Sequence, residues 1–522
     1  MNRSAAATMP RSGEGNARAL PDSTPREGKI LRLTRHDFNC LLIGLISGAL
    51  LMVGFMLIGS DLLITTILCA AWVVGWAAVA AGGGFKTLTG WFAFFPLFHF
   101  LLFSLPLKVA FWDGAEQGLR APLSTSLVML LFYAGLFMAA LVCRITRVGM
   151  RPICSFNPSA EYYRRLAWIC FLLGTAAYFL AMVLGQSAAD GDSSGAGGMG
   201  MVHLLVYFQN FSIAAYIFYT WEADLKFWKQ PVFWLFLISG LALGTLASEK
   251  AATSQPLVYL LLAMASIYGF RSYKMWAGFA IFGAILAGVI YPVMHFARGV
   301  DGARDGTLAQ RVEVVGTVTA QYLTDPGARK DMKEQVDDYA EDKAVLYLPQ
   351  SAGVFDRFIM IGPTDLLVAG VDQSSDAEKY HGFELFKLGL QLLVPRFFFA
   401  EKPDIGSSEF LADVAGTRNT KEQTYPTWGL PGELYYSFGL PGVFLGSFGI
   451  ELIFFLLVNF WFGSRVRKSV WFCLLAVSLN MANSCAAIDS VPLLLMGLCV
   501  PALGLNVVAS VLGRRTKFSA PA

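Results

Sequence analysis

The chain has 522 residues, of which 55% are hydrophobic and 15% charged, with a formal net charge of +3 and a mean hydropathy of +0.54. A soluble domain carries about 25% charged residues, so this balance excludes an ordinary soluble enzyme and predicts an all-α polytopic membrane protein. Nothing in so small a net charge points to a nucleic-acid partner.

Residues 1–37 are rich in Arg, Ser, Pro and Gly and read as a disordered tail. They lack the apolar core and cleavage site of a signal peptide. A membrane span needs roughly 20 apolar residues, and the hydropathy pattern predicts twelve spans. Nine fall within 38–297, at about 38–59, 61–82, 90–106, 122–143, 166–185, 203–221, 231–248, 256–270 and 275–297. Three fall within 439–512, at about 439–463, 469–488 and 491–512. Between them lies a long polar region, 298–438, and the chain closes with a short tail, 513–522. Every second connection is basic. The tail carries Arg26, Lys29 and Arg32, and later connections carry Arg144 with Arg147 and Arg151, Lys226 with Lys229, Arg271 with Lys274, and Arg465 with Arg467. Basic connections stay in the cytoplasm, which places both termini there and makes 298–438 a large external loop.

That loop contains amphipathic stretches. Residues 331–348 read as a polar surface helix, and 355–370 as a partly apolar helix interrupted at Gly362-Pro363. Phe383, Phe386, Leu390 and Leu393 recur at helical spacing ahead of Pro395; this helix lies either on the bilayer, against membrane lipid, or in the loop's own core. The eight cysteines form no CxxC pair and imply no disulfide framework. With five histidines, no metal site is expected. P-loop, dinucleotide, GxSxG and HExxH signatures are missing, and no cofactor is expected.

The positive signal is a set of charged residues near the predicted outer surface. Arg396 follows Pro395, and Lys402 precedes Pro403. The pair reads either as a rigid phosphate-binding frame or as cations snorkelling to lipid headgroups. Glu433 lies between two Leu-Pro-Gly turns, 430–432 and 440–442, which predict a broken helix leading into the tenth span. A carboxylate there is either functional or a helix N-terminal acid complementing the dipole. Lys250, Arg298 and Arg418 add cations, and Tyr435, Tyr436 and Phe438 would line a lipid passage.

At these residues the chain resembles a known family. The run Leu393-Val394-Pro395-Arg396, Lys402-Pro403, Gly432-Glu433-Leu434-Tyr435, Phe438-Gly439 and Gly442 is similar to the carboxy-terminal signature of bacterial oligosaccharide repeat-unit polymerases, the Wzy-type O-antigen and exopolysaccharide polymerases. A clean pair of Arg-x10-Gly motifs is lacking: the residues eleven beyond Arg304, Arg311 and Arg396 are Val315, Tyr322 and Ser407. The resemblance implies a fold like the GT-C glycosyltransferases in the bacterial inner membrane. It implies joining of undecaprenyl-diphosphate-linked repeat units on the periplasmic face without nucleotide sugar or metal, alongside a flippase and a chain-length regulator. Arg396, Lys402 and Glu433 would be catalytic, with Arg298, Lys250, Arg418 and Tyr435 binding substrate. Three other readings remain: an O-antigen ligase, differing only in acceptor, a glycan transporter, and a structural membrane subunit of a polysaccharide assembly complex.

Overall fold

The computed structural model describes residues 34–146, 159–183, 199–246, 250–268, 291–297, 308–341, 347–348, 359–374, 380–387, 407–416, 428–464 and 468–474, with a few single positions between. No strand occurs among the described residues. In chain order the helices are α1 (Arg35–Ile58), α2 (Leu62–Gly82), α3 (Leu88–Leu97), a π turn (Phe98–Leu102), α4 (Ser104–Ala110) and α5 (Pro122–Thr146). Then come α6 (Ala160–Val183), α7 (Met199–Glu222), α8 (Pro231–Leu246), α9 (Lys250–Tyr268) and α10 (Tyr291–Ala297). The last are α11 (Leu308–Thr324), α12 (Pro326–Glu341), α13 (Ile361–Gln373), α14 (Ser407–Val414) and α15 (Gly429–Phe462).

Five of these segments are long and apolar enough to cross a membrane: α1, α2, α3 through α4, α5, and α15 from Leu430. The outer face of α1 shows why this is a membrane protein. Leu50 and Leu57 are 68% and 73% exposed beside exposed Ile43, Ile46 and Val53, a continuous apolar strip that water would not tolerate.

The five segments pack on one another, with α5 between α2 and α15. Gly135 makes the crossing of α5 and α15 possible, because a Cβ there would lie 2.0 Å from Ser447 Oγ. Small residues let membrane helices approach closely. A second group, α6 to α9, packs separately, and residues 463–474 tie it to the first. Ser266 Oγ donates to the Val466 carbonyl at 2.7 Å, and Trp471 stacks on Phe211.

The two ends of the first group differ. At the end where α1 and α3 begin, buried polar groups pair across helices. Arg144 pairs with the buried Asp37 at 3.0 Å, and Asn459 Nδ2 donates to Thr89 Oγ1 and the Phe455 carbonyl. At the opposite end the 111–121 connection wraps around Lys108, which is 1% exposed. Its ammonium donates to the Gln117 carbonyl at 2.8 Å and lies over the Tyr347 ring.

Three expectations need correction. The polar helix ends at Glu341 as α12, and Tyr347 and Leu348 are buried and non-helical, Tyr347 being pinned beneath Lys108. Gly362-Pro363 does not interrupt a helix but starts α13, where a missing N–H costs nothing. Lys250 is the first residue of α9 and not part of a short connection; the helix runs through Pro256.

The Asp37–Arg144 pair generates a prediction. Arg144→Leu leaves a buried carboxylate uncompensated and should cost about 3 kcal/mol, read as thermal unfolding in detergent. Adding Asp37→Asn should recover part of that loss. If Arg144→Leu melts with the wild type, the pair is idle.

Candidate functional site

Two of the membrane-crossing segments are interrupted, and the 359–387 region is held between the interruptions. The first lies between α3 and α4. Pro96 has no N–H, and the helix widens into the π turn 98–102. The His99 carbonyl then accepts from the Met360 N–H at 2.9 Å. π turns often mark functional positions.

The second interruption is in α15. Pro441 cannot donate to the Ser437 carbonyl, and Gly439 adopts φ 67° and ψ −163°, outside any helix. Two carbonyls thereby lose their intrahelical donors. Gly382 N–H donates to Ser437 O at 2.7 Å, and His381 N–H to Tyr436 O at 3.3 Å. The His381 ring stacks on Tyr436 with centroids 4.6 Å apart, and Phe383 packs on Phe438. Tyr380 covers the break: a Cβ on Gly439 would come within 2.9 Å of its ring. The broken helix expected from the paired Leu-Pro-Gly turns is therefore present.

Between the breaks lies α13, buried along most of its length. Thr364 Oγ1 donates to the Trp428 carbonyl at 2.7 Å, fixing the start of α15. Asp365, 1% exposed, caps α5 from across the chain. Its carboxylate accepts from Arg120 N–H at 2.6 Å, Ala121 N–H at 3.0 Å and Thr125 Oγ1 at 2.7 Å. Burial pushes its carboxyl above the usual range, against the pull of those three donors. On the last turn of α13, Asp372 accepts from the Tyr435 hydroxyl at 2.5 Å. The Tyr380 ring meets Tyr435 edge to face.

Of the predicted site residues, the structure places Glu433 and Tyr435 on the first segment of α15, two positions apart and so on different faces of the helix. Glu433 is fully buried in the first segment of α15, two residues from Tyr435. A buried carboxylate on a helix broken within two turns is a group suited to proton transfer. Tyr435 and Tyr436, 5% and 1% exposed, are enclosed by protein and do not line an open lipid passage; Phe438 is half-buried under Phe383. Arg298, Arg396, Lys402 and Arg418 lie outside the described residues, as does most of the 383–393 amphipathic helix beyond Lys387. Lys250 is placed by its backbone alone.

Sequence reasoning did not single out Arg120, Asp365, Asp372, Tyr380 or His381. Asp365 carried a usable signal, as a lone acid within the apolar run 361–371. The others become visible only through contacts across the fold.

Among known proteins, no family model matches the chain, no curated protein matches it, and no solved structure matches it.

Gly439→Ala places a side chain at φ 67° and ψ −163°, backbone essentially reserved for glycine, which costs about 1–3 kcal/mol, and drives a Cβ into Tyr380. The protein should lose thermal stability by at least that amount in detergent. Tyr435→Phe removes a hydrogen bond to a carboxylate and should cost about 1.5 kcal/mol. If both variants match the wild type in melting, the break does not organise this end of the molecule.

Proposed function

We propose that this chain is a membrane-embedded glycosyltransferase that joins undecaprenyl-diphosphate-linked oligosaccharide repeat units into O-antigen or exopolysaccharide. The observation that carries the reading is Glu433: fully buried, in an interrupted membrane helix, within the Gly432-Glu433-Leu434-Tyr435 run that resembles the polymerase signature. In this reading the helices form a twelve-span, GT-C-like scaffold in the bacterial inner membrane, with both termini cytoplasmic. The end carrying α13 and the break in α15 then faces the periplasm.

In this mechanism a sugar hydroxyl of the incoming unit attacks the anomeric carbon of the growing chain. The bond from that carbon to the lipid diphosphate breaks, and the diphosphate leaves with the electron pair. Glu433 takes the proton of the attacking hydroxyl. Arg396 and Lys402 stabilise the departing diphosphate, as fixed charges do in a water-poor site. Arg298, Lys250 and Arg418 are further candidates for holding the anionic lipid. A flippase supplies the substrate, and a chain-length regulator sets where growth stops.

A knockout strain complemented at matched protein level tests this. With the wild-type chain, long polymer should replace single repeat units. Glu433→Gln should lower polymer yield about 100-fold. Arg396→Lys, which swaps the planar fork for a point charge, should lower it at least about tenfold. Polymer accumulating on undecaprenyl diphosphate in the knockout would make the protein a ligase. Repeat units held on the cytoplasmic face would make it a transporter. Wild-type yield from Arg396→Lys would remove Arg396 from the site.

A further inference from the structure

The end of the molecule away from the two helix breaks carries a cavity that the proposed reaction does not use. It is open, about 390 Å3 in volume, and lined by Glu161, Arg164, Arg165, Trp168 and Ile169 of α6. Contacts place it at the end where α3 begins and α15 finishes. The Ser464 carbonyl, just past α15, accepts from the Leu88 N–H, and Lys468 lies 4.7 Å over Trp221 of α7. Phe218, one turn earlier on α7, packs on Tyr163 of α6.

The outward stripe of α6 changes character with depth. Arg164, Trp168, Leu172, Ala176 and Leu180 recur every fourth residue, and all are exposed. From Leu166 to Val183 the helix carries no charged residue. At 1.5 Å per residue, Arg164 stands about 6 Å to one side of Trp168 along the axis, and Leu180 about 18 Å to the other. Charge, then indole, then aliphatic surface is what a helix presents on passing through headgroups into hydrocarbon. The neighbouring α8 repeats the order. Trp228 and Trp234 are exposed at its start, Leu235 and Ile238 are exposed further along, and Phe236 meets Trp168 edge to face. The cavity therefore opens at headgroup level, with apolar surface running from it into the bilayer.

The sign of the charge here is positive. Glu161 accepts from Arg165 Nε at 2.8 Å and from Arg164 Nη2 at 3.0 Å. One carboxylate offsets one of two cationic charges, and Arg164 stays half exposed. The other described charged residues at this end of α6 to α9 are Lys226, Lys229 and Lys468 against Glu222 and Asp224. The connections 147–158 and 269–274 lie outside the described residues, but their sequence adds Arg147, Arg151, Arg271 and Lys274 and no acid. Guanidinium forks match phosphate oxygens, and basic pockets between membrane helices take lipid phosphates. A free phosphate would meet the cations and leave the indole and the apolar stripe unused. A zwitterionic lipid brings a cation of its own into a positive field.

We propose that this cavity binds the phosphate of an anionic phospholipid, with Arg164 and Arg165 on the headgroup and the acyl chains lying along α6 and α8 below Trp168. The site is separate from α13 and the break in α15, and it stands whether or not the chain joins glycans.

The test is native mass spectrometry of the full chain in detergent, with tetraoleoyl cardiolipin, dioleoyl phosphatidylglycerol and dioleoyl phosphatidylcholine as probes. At equal concentration each anionic lipid should be retained at least about fivefold more than phosphatidylcholine, the factor that one uncompensated arginine supplies. Arg164→Gln combined with Arg165→Gln should erase the difference. Arg164→Lys combined with Arg165→Lys keeps the charge and should retain most of the binding, which separates loss of charge from loss of fold. Thermal unfolding checks each variant, and Arg164→Gln alone, at an exposed position, should give a smaller loss in the same direction should the Gln pair fail to fold. Inorganic phosphate at the lipid's own concentration should not displace it. Equal retention of phosphatidylcholine, or anionic-lipid retention unchanged in the Gln variants, would overturn the assignment. Displacement by inorganic phosphate would overturn it too, by making this a free-anion site.

Discussion

Every backbone N–H and C=O at membrane depth must find its partner inside the protein, and the arrangement of this chain follows from that constraint. An uninterrupted helix meets it alone. A helix with Pro96 or Pro441 in its path does not. Around Gly439 the shortfall is made up by the His381 and Gly382 N–H groups, and past Pro96 the His99 carbonyl in the π turn accepts from Met360, all three donors drawn from the long region between α10 and α15. The loop does not hang from the bundle; its backbone completes the bundle's hydrogen bonding. A sequence that breaks two spans therefore also specifies where the region around α13 must dock.

Asp365 gives that docking its electrostatic anchor. Moving a carboxylate out of water is expensive unless hydrogen bonds replace the solvent. Here two backbone donors and one hydroxyl do so at the N-terminal end of α5, where the helix dipole favours negative charge. The same contact sets the backbone of Arg120 and joins residues separated by some 240 positions in the chain. Thr364, one residue earlier, fixes the start of α15 through Trp428. One turn of α13 thus aligns two membrane helices, and its last turn offers Asp372 to Tyr435.

The parts of this molecule legible in the sequence are those set by local pattern. The lengths of α1, α2, α5, α6 and α7 follow from runs of apolar residues and come within a few residues of expectation. The break in α15 follows from its paired Leu-Pro-Gly turns, because proline's missing donor is a local fact. The helical segment from Gly429 to Phe438 that precedes the break is less legible, because its residues read equally well as the end of the loop. A proline near a helix start and one in a helix interior carry the same letter, and only the contact at Trp428 tells which is which. Glu433 was readable from its place among those turns. Asp365 and Arg120 were not paired in advance, because nothing local links position 120 to position 365. Buried Tyr347 was assigned to a helix face, since no local pattern reveals a lysine above it.

The distribution of polar groups separates the two ends by role. At the end bearing Asp37, Arg144 and Asn459, the buried Asp37–Arg144 pair and the Asn459 amide nitrogen meet fixed partners, an arrangement that resists change. At the other end, Arg120, Asp372, Gln373 and Tyr380 are exposed, yet each adjoins a tightly held anchor: Asp365, Tyr435 or Gly439. The Asp372 carboxylate is held by the Tyr435 hydroxyl and the Tyr380 ring by Tyr435, so these exposed groups are preorganised, as a site needs when it must bind a mobile molecule without reorganising. The interrupted helices supply this, since a continuous helix in hydrocarbon leaves no backbone to hold a loop and no loop to carry such side chains. The chain's departure from regular helix and its capacity for chemistry therefore occur at the same end, for the same physical reason.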